Sequence, residues 1–98
     1  MSRGRIDRQV EQALLALMEA EDAVKVLADQ VDTWTQMRDA LKVRAVVSET
    51  PLASAEYDEM ERQLTVASAA LLRQQSEVDV RRTSYEELLA TWQPEEVF

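Results

Sequence analysis

"VVSETPLAS", Val46 to Ser54, holds the only proline before Pro94, and no glycine follows Gly4. Whether this stretch bends the chain decides the fold, because long apolar rows run up to it and away from it. Thr50-Pro51 fits a helix start, with Thr50 as N-cap and Pro51 at the first helical position. Ser54 is a rival cap. Glu56, Asp58 and Glu59 follow it in the early turns, where acids suit the helix dipole. The sequence leaves the two caps open.

Upstream, stepping alternately by four and three from Ile6 meets Val10, Ala13, Leu17, Ala20, Val24, Leu27, Val31, Trp34, Arg38, Leu41 and Ala45. Arg38 alone is polar. This is a heptad seam, uninterrupted by Pro or Gly. A helix from about 6 to 48 spans roughly 60 Å at 1.5 Å per residue. Downstream, the row Tyr57, Met60, Leu64, Ala67, Leu71, Gln74, Val78, Arg81, Tyr85, Leu88 and Trp92 repeats the pattern with two polar insertions. Pro94 disfavours helix in the residue before it, so a second helix from about 54 to 93 precedes a short tail, 94–98.

A link of about 49–53 is short enough to force the helices antiparallel. Facing seam residues then have numbers that add to about 101 or 102. Trp34 meets Ala67, Trp92 meets Val10, Tyr85 meets Leu17, Arg81 meets Ala20 and Leu88 meets Ala13, large against small as interdigitation requires. Glu21–Lys25, Asp58–Arg62 and Glu77–Arg81 are i,i+4 pairs in the favourable order. The expected fold is all-α: one domain over 1–98, an antiparallel coiled-coil-like two-helix hairpin that dimerises into a four-helix bundle.

Composition narrows the function. One glycine and two prolines suit a chain with few turns. With no Cys there is no disulfide and no thiolate metal site. With no His the commonest general base is missing, and Gly4 alone cannot build a phosphate loop. The net charge of −8 disfavours nucleic acid and anionic lipid as ligands. No apolar run nears the roughly 20 residues of a membrane span, and "MSRGRIDRQ" lacks a signal-peptide core. The expected location is the cytoplasm, with export by a route needing no cleaved signal as the alternative.

Carboxylates remain as candidate chemistry. Glu19/Asp22, Asp29/Asp32, Glu56/Glu59 and Asp58/Glu61 are spaced by three. All-helical magnesium-dependent nucleotide pyrophosphohydrolases use similar pairs, but theirs converge inside a bundle. Here Glu19, Asp22, Asp29, Asp32, Asp58 and Glu59 fall on outward heptad positions, and Glu56 and Glu61 flank the seam. No catalytic residue, cofactor or metal site is expected, and the protein reads as a non-enzyme. Trp34, Trp92, Tyr57 and Tyr85 lie in the seams and read as packing residues. Arg3, Arg5 and Arg8 oppose the helix dipole at a helix start, and Glu86, Glu87, Glu95 and Glu96 are expected alongside to compensate.

Apolar residues off the seam are the main functional signal. They are Leu14, Leu15 and Met18, then Val43, Val46 and Val47 on the first helix, with Val66, Ala69, Leu72 and Val80 on the second. A lone hairpin leaves them in water, and such patches mark partner surfaces. A homo-oligomer, with a dimer favoured, covers them economically. A helix from a different protein is the other occupant. Arg38, Gln74 and Arg81 either fix register or lay their stems over the seam with their heads in solvent.

Three functions follow from these features. The first is a self-associating assembly or adaptor module. The second is a small acidic regulator, of phage or mobile-element type, occupying a basic site on a host protein. The third rests on outline: about a hundred residues, two helices and no signal peptide resemble the WXG100 family of exported hairpins. That family carries W-x-G at its turn, where this chain has "SETPLAS". Its Y-x-x-x-D/E signal follows the second helix, whereas the match here, Tyr57 to Glu61, lies near that helix's start.

Overall fold

The computed structural model describes residues 2–92. Two helices occupy them, α1 over Ser2–Ser48 and α2 over Pro51–Thr91, and no strand occurs among the described residues. Both helices are rich in Ala, Leu, Glu, Gln and Arg and have no proline beyond the first position of α2. Helix α1 begins at Ser2, ahead of the seam. The backbone is already helical before Ile6, the first seam residue. Gln93 and the expected stop at Pro94 with its tail, 94–98, lie outside the described residues.

The bend is two residues long, Glu49 and Thr50. Glu49 has φ of 50°, a left-handed conformation that glycine adopts without steric cost. Its N–H donates to the Ala45 carbonyl at 3.1 Å, which closes α1 with a left-handed C-cap. Thr50 then opens α2. Its Oγ1 accepts from the Ala53 N–H at 3.2 Å, and its carbonyl accepts from the Ser54 N–H at 3.2 Å. Thr50 is therefore the N-cap, and Ser54 lies inside the helix. This start is earlier than about 54, and the bend is shorter than 49–53.

The chain divides into two compact units. One joins the described residues of Met1–Ala23 with those of Gln74–Phe98, and the other is Val24–Arg73. In the first, called here the terminal unit, Trp92 Nε1 donates to Asp7 Oδ1, and Glu21 meets Arg82 at 3.4 Å. In the second, the turn unit, Arg38 meets Glu61 at 3.3 Å and Arg44 meets Glu56 at 3.2 Å. In both, residue numbers rise on one helix as they fall on the other, which is the antiparallel hairpin.

Every seam residue of α1 from Ile6 to Ala45 is buried or half-buried, and so is every seam residue of α2 except Arg81. Val10, Leu17, Ala20 and Val78 form the buried core of the terminal unit, and Ala53 and Ala67 that of the turn unit. No buried side-chain polar atom lacks a partner among the described residues.

The surface ion pairs differ from the expected set at two positions. Glu77–Arg81 forms at 2.8 Å. Arg62 binds Glu59 at 2.7 Å in place of Asp58, because the longer glutamate arm reaches along the turn. Glu21 turns to Arg82 on the facing helix rather than along its own.

Candidate interaction surface

The two units present their apolar side chains differently. In the terminal unit, Leu14, Leu15 and Met18 on α1 and Val80 on α2 are exposed. In the turn unit, Val43, Val46, Val47, Val66 and Leu72 are exposed, while Ala69 is half-buried. Three more large exposed side chains join them, Val26, Met37 and Leu52. The sequence held a signal for Leu52, which lies two heptads before Val66 and so on the same face of α2. Met37 lies one position before a seam residue, where heptad counting gives no expectation of exposure.

An apolar groove of about 440 Å³ opens along the turn unit. Leu27, Trp34, Ala67 and Ala70 line it, and Val66 adds an exposed apolar wall. The groove follows from the large-against-small pairing. Ala67 and Ala70 are too short to cover the facing Trp34 and Leu27, so one side of the indole stays open. Gln30, Glu59, Arg62 and Gln63 form the polar border. Glu59 accepts from Arg62 Nε at 3.1 Å, from Arg62 Nη2 at 2.7 Å and from Gln63 Nε2 at 3.3 Å. The Arg62 hydrogen bonds, then that of Gln63, hold its carboxyl below the ordinary value of 4.5.

The terminal unit has a smaller counterpart of about 290 Å³, lined by Ala16, Glu19, Ala20, Ala23, Gln74, Glu77 and Arg81. Here the side chain facing the small residue is Arg81, so the hollow is polar. Both seam arginines turn their heads to carboxylates. Arg81 binds Glu77, and Arg38 donates to Asp39 Oδ1 at 3.0 and 3.1 Å while meeting Glu61. The Asp39 hydrogen bond chiefly raises the Arg38 pKa, which keeps its charge fixed.

The spaced carboxylates do not converge. Glu19, Asp22, Asp29, Asp32, Asp58 and Glu59 are exposed, and Glu56 and Glu61 are held by Arg44 and Arg38. Among the described residues no group of three or more side chains is placed to hold a metal ion. Tyr57 and Glu61 both belong to the packed turn unit, with the tyrosine half-buried in the seam. Arg5, Arg8, Glu86 and Glu87 are exposed, while the Arg3 side chain, Glu95 and Glu96 lie outside the described residues. No helix among the described residues is long and apolar enough to cross a membrane. No family model, characterised protein or solved structure matches the chain.

Proposed function

We propose that the protein is a non-enzymatic, self-associating hairpin that serves as an assembly or adaptor module in the cytoplasm. The observation that supports it most is the turn unit's apolar groove, with the exposed Val66 at its wall and an indole only half covered. Large apolar side chains left in water at a groove mark a protein-binding surface, and grooves between helices accept further helices. A second hairpin supplies such helices and builds a four-helix bundle. Light scattering on a sizing column across a dilution series tests this. A dimer that dissociates on dilution is the expected result, and a monomer at every concentration refutes self-association.

A second reading draws on the exposed acids of α1, Glu19, Asp22, Asp29 and Asp32. They suit a regulator that docks on a basic protein. Its binding weakens as salt rises from low to physiological and beyond, and a salt-independent affinity contradicts it.

A further inference from the structure

We infer that the occupant of the turn-unit surface is α2 of a second copy, laid antiparallel across a two-fold axis at Val66. The inference rests on the self-association reading above and gives it a geometry.

The row Leu52, Glu59, Val66 and Arg73 recurs every seven residues along α2. Heptad spacing keeps the four on one face, and all four are exposed. Glu59 and Val66, the two central members of the row, also line the groove. Val66 is the midpoint, with an acid one heptad before it and a base one heptad after it.

That order is self-complementary in one direction only. In a two-fold pair the same patch serves both copies, so each contact occurs twice. An antiparallel pair centred on Val66 sets Val66 on Val66 of the second copy. It also sets Glu59 beside Arg73 of the second copy, and Arg73 beside Glu59 of the second copy. A parallel pair sets Glu59 on Glu59 and Arg73 on Arg73, both repulsive. Within one chain the two charges are separated by two heptads, roughly 21 Å of helix, and cannot pair. The row is thus neutral although the chain carries −8, and it meets a second copy without the repulsion its overall charge implies. Val66 of the second copy then covers the groove wall beside Trp34.

The experiment uses the full chain. Glu59→Arg and Arg73→Glu each replace two attractive contacts by two repulsive ones. Each raises the dimer dissociation constant roughly tenfold. The double variant Glu59→Arg/Arg73→Glu recovers wild-type affinity. Glu59→Arg also removes the Arg62 hydrogen bonds, and the double variant does not restore them, so recovery reports the contact between copies. Circular dichroism confirms helicity in each variant.

The chain has no cysteine, so Val66→Cys reports the axis directly. On mild oxidation it cross-links to itself, and Val47→Cys on α1 does not. If the wild type dimerises but the swap fails to recover or Val66→Cys stays uncross-linked, this geometry is overturned and self-association stands. A wild type that is monomeric throughout overturns both.

Discussion

In the terminal unit Val10, Leu17, Ala20 and Val78 are buried, whereas in the turn unit the buried side chains are two alanines, Ala53 and Ala67. The seam runs through both with the same spacing. In the turn unit its large members, among them Leu27, Trp34, Leu41, Leu64 and Leu71, are only half covered. The exposed large apolar side chains divide the same way: Leu14, Leu15, Met18 and Val80 in the terminal unit, and Val26, Met37, Val43, Val46, Val47, Leu52, Val66 and Leu72 in the turn unit. A heptad seam sets which way a side chain points. How deeply it is buried depends on the size of its opposite and on what flanks it. Both units leave apolar side chains uncovered, and the turn unit leaves more of them.

The sharpest way to break this contrast is truncation on both sides of it. Leu17→Ala removes a buried leucine and is expected to cost about 3 kcal/mol, and Leu64→Ala, half-buried, about half as much. Urea melts at low protein concentration measure both, and equal losses would erase the distinction between the units. The bend is next. Thr50→Ala removes the cap and costs about 1 kcal/mol, while Ser54→Ala changes little. A larger loss at Ser54 would move the start of α2. Smaller still is Glu49→Gly, which relieves the left-handed backbone and gains about 0.5 kcal/mol in the same melts.

The smallest effect is one of pH. The folded pKa of Glu59 is depressed, so its contribution is fully present above the ordinary value of 4.5 and is lost as pH falls through the lower folded value. Stability therefore declines slightly on acidification through that window. Glu59→Gln removes this part of the slope, and an unchanged slope would show that the Arg62 bond does not persist in solution. The group is exposed, and the expected change is correspondingly slight.

Most of the hairpin is legible in the chain because periodicity is a local property. Two rows of apolar residues on either side of one proline leave few other ways to bury them, and Arg81 is the sole seam position that the packing leaves exposed. The apolar residues off the seam were legible for the same reason. Ala69 is half-buried rather than exposed, because an alanine projects too little above the helix to be lifted clear of its neighbours. The bend was legible only in part. Thr50 and Ser54 both have cap chemistry, and the choice was made by the left-handed turn at Glu49, which sets the backbone direction entering α2. Ala53 was not singled out, since an alanine carries little hydrophobic signal. It is nonetheless only 2% exposed, in the first turn of α2 beside the bend.

The sequence by itself determined the helices, their seams and their antiparallel pairing, since each follows from spacing along one chain. The groove beside Trp34, the pairing of Glu21 with Arg82 and the unequal depth of the two units were decided only when the helices met. Coverage is a property of facing surfaces, and the volume left beside an indole depends on the short side chains, Ala67 and Ala70, that stand across from it.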